Sequence, residues 1–261
     1  MVTGASSGIG RATALDLARR DYHVVAAGRS EERARAVVGR IEGDGGSAEF
    51  LQVDLASLQS CERAGREYAG SSRSLDLLVD NAGVGGIGGR TEDGFEMHFG
   101  VNHLGHFALT HHLRPTFRPG TRVVVVSSEA HRRAGGIDFD RVRENRGFFE
   151  RLSAYAESKL ANILFARRLA RLAPELRTYS VHPGMADTNI FPAIAKPFFR
   201  RRKPPEEAAR TILYCATSDQ VAGQSGRYYS RMSEREPSSA ARDDTLADEL
   251  WARSVEWCGL S

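Results

Sequence analysis

Apolar residues along the chain recur in two alternating rhythms. Short apolar, often β-branched runs lie at 23–28 (HVVAAG), 48–54 (AEFLQVD), 75–83 (LDLLVDNAG), 121–128 (TRVVVVSS) and 177–184 (RTYSVHPG). Between them come segments such as RATALDLARR and EERARAVVGRIE, with apolar positions at helical spacing. Repeated strand, helix, strand units predict an α/β fold, a doubly wound parallel sheet flanked by helices on both faces. The unbroken run Val123–Val126 fits a strand buried on both sides. Two longer connections, 129–151 and 184–204, follow strands, and such sheets hold ligands in loops at the carboxyl ends of their strands. No repeat, low-complexity tract or linker divides the 261 residues, so 1–261 is expected to form one domain. Only Met1 and Val2 precede the first turn, which leaves the first strand at about half its usual length. A trimmed or misassigned start is the expectation there.

Composition removes several function classes. The balance of 36 basic and 33 acidic residues, net +3, gives no broad electrostatic footprint for nucleic acid. Three cysteines, Cys61, Cys215 and Cys258, lack metal-ligand spacing and suit a reducing compartment. They are expected to be small buried hydrophobes, and no metal site is expected. No apolar run reaches membrane-spanning length and no leader pattern opens the chain, so a soluble cytoplasmic protein is expected. His103, His106, His111 and His112 have no partners at metal spacing and are expected to be packed or solvated helix positions. Trp251 and Trp257 are expected to pack a final helix onto the domain.

The turn TGASSGIG, Thr3 to Gly10, carries the first candidate chemistry. Glycines at a strand-to-helix turn let backbone N–H groups approach a pyrophosphate, and the helix N-terminus favours its charge. At the first such junction this points to a dinucleotide. The second strand ends AAGRS; Arg29 offers a cation suited to a 2′-phosphate where a carboxylate would favour NAD, so NADP(H) is preferred. Arg11 would add a contact or simply be solvated. Asp54 would accept from an adenine amino group or cap a helix. Asn81, Ala82 and Gly83 would lie along the ribose or form a turn.

Only three of the 36 cations are lysines, and Lys159 stands four residues after Tyr155 in SAYAESKLAN. That spacing places both on one helical face. A nearby ammonium favours the phenolate and is expected to lower the Tyr155 pKa towards working range. Ser127 and Ser128 end the VVVV strand, where a hydroxyl would hydrogen-bond a substrate oxygen as charge develops. Asn102, in VNHLGHF, would hold a water near Lys159 or bond backbone at a helix kink.

The ordered set TGASSGIG, DNAGV, VNHLGHF, VVVVSS, YAESK and HPG resembles the short-chain dehydrogenase/reductase family over nearly the whole chain. SSEAH, HPGMADTN and the C-terminal SGRYYS segment are most similar to its retinol dehydrogenase and WW domain-containing oxidoreductase-like branch. The resemblance implies a single-domain Rossmann-type fold with a substrate-covering segment at about 184–204. It implies Tyr155 as proton donor, Ser128 rather than Ser127 orienting the carbonyl oxygen, Lys159 on the ribose, and Asn102 anchoring a relay water. Cofactor contacts are implied at Gly4, Ser6, Ser7, Gly8, Ile9, Gly10, Arg29, Asp54, Leu55, Asn81, Ala82, Gly83, Tyr155, Lys159, Pro183, Gly184 and Thr188. Departures are Ala186 and Asp187, which loosen the placement of Thr188, and Asp80, where asparagine is usual.

The expected activity is hydride transfer between NADP(H) and a carbonyl or alcohol of a hydrophobic small molecule, of retinoid, steroid, fatty aldehyde or polyketide-like class. Alternatives are a conjugated C=C reductase of the same family and a non-catalytic NADP-binding sensor. FPAIAKPFFRRRK, 191–203, is expected to cover the substrate, the other reading being contact with an anionic membrane surface. The family commonly pairs through the helices around Asn102 and Tyr155, so a homo-oligomer is a further possibility.

Overall fold

The fold, a computed structural model, is described for residues 1–184 and 203–260. Strand β1 (Val2–Thr3) leads through the glycine turn into helix α1 (Gly8–Ala18), then β2 (His23–Gly28), α2 (Glu31–Gly43), β3 (Ser47–Gln52), α3 (Leu58–Gly70) and β4 (Leu75–Asp80). The second half runs α4 (Met97–Phe99), a π-helical turn (Gly100–Leu104), α5 (Gly105–Leu113), β5 (Phe117–Val126) and α6 (Arg151–Leu172). It closes with β6 (Arg177–His182), α7 (Pro205–Thr217), β7 (Arg227–Ser230), β8 (Ser233–Glu234) and α8 (Asp244–Trp257).

The strands form one sheet in the order β3-β2-β1-β4-β5-β6-β7-β8, parallel except for β8. β1 pairs with β2 on one side and β4 on the other, so strand order reverses there and a crevice opens at the strands' carboxyl ends. Alternation along each strand feeds two apolar layers. Val25, Ala27, Val123 and Val125 face the α3, α5 and α6 side, with Phe107, Phe165 and Leu169. Val24, Ala26, Val124 and Val126 face the α1 and α7 side, with Leu17 and Ile212. This two-sided burial is what the Val123–Val126 run foretold.

Trp251 stacks with Phe165 at 6.0 Å and Trp257 meets Phe99 at 5.8 Å, so α8 is packed onto α6 and α4, and the final helix is packed onto the domain as expected. Arg171 ion-pairs with Asp244 and Asp248 of α8 at the surface of that contact. His103 and His106 are buried and pair with Ser254 Oγ and Thr3 Oγ1, so they are packed positions. Among the described residues there is no cluster of metal-ligating side chains and no helix long and apolar enough to cross a membrane. Cys61 and Cys215 are buried in the two layers, and burial pushes both thiols upward. β7 and β8 extend the sheet beyond the five strands and the stub that the sequence pattern predicts.

Candidate active site

The glycine turn sits at the point where strand order reverses. Gly4 and Gly8 adopt φ of 66° and 52°, left-handed values that glycine reaches without a Cβ penalty. Gly10 answers to close approach instead: a Cβ there would fall 2.4 Å from Gly4 O and 2.4 Å from Asn81 Nδ2. Gly10→Ala is therefore expected to cost about 1–3 kcal/mol of stability, measurable by urea denaturation, because the neighbours are backbone and a tethered amide. Ser7 precedes α1 without a side-chain cap and the first turn of α1 carries no acidic residue. Its N–H groups and partial positive charge are thus open toward an anion, which suits a dinucleotide pyrophosphate. Ser6 and Ile9 complete the same turn.

Arg29 is exposed at the end of β2, and its guanidinium has no hydrogen bond or ion pair among the described residues; only its carbonyl is used, by Gln52 Nε2 at 3.1 Å. Other surface arginines of this chain are tied to carboxylates, as Arg35 is to Glu31 and Arg40 to Asp44. Asp54 Oδ1 accepts the Ala56 N–H at 3.0 Å, so that carboxylate shapes its own turn, with Leu55 buried beneath. Asn81 Nδ2 donates to Thr3 O at 2.9 Å, and Thr3 Oγ1 accepts from the N–H groups of Asn81 and Ala82. Thr3 therefore ties β1 to the end of β4 and fixes Ala82 and Gly83 at the crevice. Thr188 lies outside the described residues, as does all but the ends of the 184–204 connection; Pro183 and Gly184 (φ 94°) end β6 beside the crevice.

The proton-transfer group forms where β5, α6 and the π turn meet. Ser127 Oγ donates to Lys159 O at 2.6 Å, a structural bond, while the Ser128 hydroxyl hydrogen-bonds the Tyr155 phenol. Of the two serines, Ser128 is the one turned to the tyrosine. Lys159 Nζ donates to Val126 O at 3.1 Å and lies 5.7 Å from the Tyr155 ring centroid. A Cβ on Gly83 would lie 3.0 Å from Asn102 Oδ1 and 3.5 Å from Lys159 Nζ, so all three residues converge.

Asn102 sits in the π turn, a rare element frequent at functional sites. Its amide accepts the Val84 N–H at 2.8 Å and donates to Val84 O and Ser158 Oγ. The side chain thus bonds backbone at the helix irregularity, the second of its two expected arrangements. Ser158, which the sequence reading missed, donates in turn to Tyr155 O at 2.8 Å. Its signal was its position three residues after Tyr155 on the same face. Arg146 forms a bidentate buried pair with Glu157 at 2.6 and 2.8 Å, locking the 129–151 connection to α6 two residues beyond Tyr155.

Electrostatics correct one expectation. Burial pushes the Tyr155 phenol up to about 12, with the Ser128 hydrogen bond pulling the other way, and burial brings Lys159 down to about 8. The lysine does not lower the tyrosine here, because loss of hydration around the phenolate outweighs an ammonium that is itself desolvated. The phenol is held protonated at neutral pH.

Comparison with known proteins settles the family. Residues 1–139 match the family described as short chain dehydrogenase. The chain is a short-chain dehydrogenase/reductase. It is 42% identical to dehydrogenase/reductase SDR family member 13 of Bos taurus, over all of this chain and 73% of that protein. It is 37% identical to retinol dehydrogenase 14 of Homo sapiens, over all of this chain and 86% of the relative. A solved structure of an uncharacterised Mycobacterium paratuberculosis protein matches with TM-score 0.82 and 33% identity, covering 99% of this chain and 92% of that one. A short-chain dehydrogenase from Burkholderia cenocepacia in complex with NADP matches with TM-score 0.71 and 26% identity, covering 93% and 96%. This dehydrogenase/reductase is an oxidoreductase close to the retinol dehydrogenases, and its fold supports a nicotinamide cofactor.

Proposed function

We propose that this enzyme transfers hydride between NADP(H) and the carbonyl or alcohol carbon of a hydrophobic small molecule, with Tyr155 as the proton donor. The observation that carries the reading is the Ser128–Tyr155 hydrogen bond above Lys159, beside Gly83 at the mouth of the crevice. When bound, the nicotinamide supplies the hydride. The open N-terminus of α1, Gly4, Ser6, Ser7, Gly8, Ile9 and Gly10 would receive the pyrophosphate, Asp54 and Leu55 would border the adenine, and Asn81, Ala82, Gly83, Pro183, Gly184 and Thr188 would line the rest. Lys159 would hold the ribose hydroxyls through an ammonium that the fold places next to Gly83.

Ser128 donates to the substrate oxygen and holds it against the Tyr155 hydroxyl, and Tyr155 delivers its proton to that oxygen as negative charge develops there. A phenol held protonated at neutral pH is in the state that a proton donor to a carbonyl oxygen needs. Asn102 acts through Ser158 and Val84 to fix the tyrosine's helix. The C=C reductase alternative draws no support from Cys61 or Cys215, which are deep in the apolar layers. A sensor without turnover would not require the Ser128, Tyr155 and Lys159 arrangement to be intact.

NADP preference rests on the unpaired Arg29. Arg29→Glu is expected to raise KM for NADPH by about tenfold or more, the value of one charge-assisted hydrogen bond, while leaving KM for NADH within about twofold. Steady-state kinetics with both cofactors check this; equal KM values for NADPH and NADH in the unaltered enzyme would remove Arg29 from the assignment. The cheapest overall test is NADPH consumption across apolar aldehydes and ketones.

A further inference from the structure

A cavity of about 700 Å³ starts at Glu129, the residue after Ser128, and runs across His182, Pro183 and Gly184 to the β7–β8 hairpin. Among the described residues five cations line it, Arg132, Lys203, Arg210, Arg231 and Arg235, against two carboxylates, Glu129 and Glu207. Five minus two leaves +3, equal to the formal net charge of all 261 residues. Both carboxylates are already occupied: Glu129 by Arg132 at 2.8 Å and by Tyr228, Glu207 by Lys203. Arg210, Arg231 and Arg235 have no side-chain hydrogen bond or ion pair among the described residues, so three guanidinium groups on one cavity wall are left free for a ligand.

The hairpin that presents two of them is itself unusual. Ser230 pairs with Ser233, so Arg231 and Met232 form a two-residue turn, with φ of 54° and 56°. Such turns favour Asn-Gly, because both positions require left-handed backbone. Here a long cation and an exposed thioether take those positions instead, and both line the cavity.

We infer that the cavity receives a substrate with an anionic end: an apolar body reaches Ser128 and Tyr155 with its carbonyl, while a carboxylate or phosphate at its far end meets Arg210, Arg231 and Arg235. The inference rests on the hydride-transfer reading for the carbonyl end and names the class of substrate for that same site. Met232, Pro183 and the aliphatic stems of the arginines supply the apolar walls.

The test is calorimetric titration of the NADP⁺-saturated protein with octanoate and with the neutral, unreactive octanamide. Octanoate is expected to bind about tenfold or more tightly at low ionic strength, the gap closing with added salt. Arg210→Glu/Arg231→Glu is expected to erase the gap while octanamide and NADP⁺ affinities stay unchanged, and the matching lysine variant is expected to restore most of it. Equal affinity for the two ligands, or binding of neither, overturns the inference. Reduction of octanal and of 8-oxooctanoate, which carries both a carbonyl and an anionic end, is measured on the same samples: octanoate preference without reduction of either would refute the hydride-transfer reading, and reduction without that preference would refute only the anionic class. Inorganic phosphate competing with octanoate as well as octanol phosphate does would show that the site reads the anion alone, contradicting a substrate subsite.

Discussion

Replacing Tyr155 with phenylalanine is expected to lower kcat for carbonyl reduction by about 10²–10⁴-fold, the usual worth of a positioned general acid, with NADPH binding nearly unchanged. The phenol is buried and its hydroxyl is bonded to Ser128, so the substitution removes one oxygen from a packed ring and leaves the ring's contact with His98 at 6.1 Å. A loss confined to kcat would identify a group acting in the transition state rather than in binding. The pH profile separates Tyr155 from Lys159. kcat/KM for NADPH reports groups of the free protein, and it is expected to fall as pH rises through about 8, where the buried Lys159 loses its proton and with it the charge offered to the cofactor. A profile flat to well above that pH would contradict the lysine's place at the ribose.

Asp80→Asn is expected to stabilise the protein on the order of 3 kcal/mol at neutral pH. Asp80 is fully buried at the end of β4; Thr110 Oγ1 donates to one carboxylate oxygen at 3.2 Å, and the other has no partner among the described residues. Burial pushes its pKa from 3.8 up to about 8 despite the Thr110 bond. An acid whose folded-state pKa lies above its unfolded value holds its proton more tightly when folded, so stability falls as pH climbs from about 4 to about 8 and then levels off. Asparagine is isosteric with the protonated acid and has nothing to ionise. Urea denaturation at several pH values is expected to show the stability gap between Asp80→Asn and the unaltered protein widening across that window, the buried His103, His106 and His182 contributing equally to both. Identical slopes would show that Asp80 is paired or hydrated when folded.

The legibility of this chain in its sequence follows from how local each signal is. β2 runs over the very residues His23–Gly28 that its apolar pattern marks, and β5 shows its two-sided burial in Val123–Val126, because strand burial writes directly onto residue type. Tyr155 and Lys159 were legible because one helix carries both. β7 was not, since its four residues, RYYS, contribute buried tyrosines whose hydroxyls look polar in isolation. The struts of the site were hidden for a related reason: Asn102 with Val84 and Ser158, and Thr3 with Asn81, join residues far apart in sequence. The raised Tyr155 pKa depends on burial, which spacing does not encode. The arginine-lined cavity gathers side chains from three separate stretches, 132, 203–210 and 231–235, so only the folded chain brings their charges together.

The most direct measurement of the central claim is label transfer. NADPH carrying deuterium at the reactive C4 position is incubated with the enzyme and a medium-chain aldehyde, and the alcohol is analysed by mass spectrometry. One deuterium on the former carbonyl carbon, absent when Tyr155→Phe replaces the enzyme, is the predicted result. An enzyme that binds NADPH yet yields unlabelled alcohol, or none from any aldehyde or ketone tried with or without an anionic end, would contradict the account.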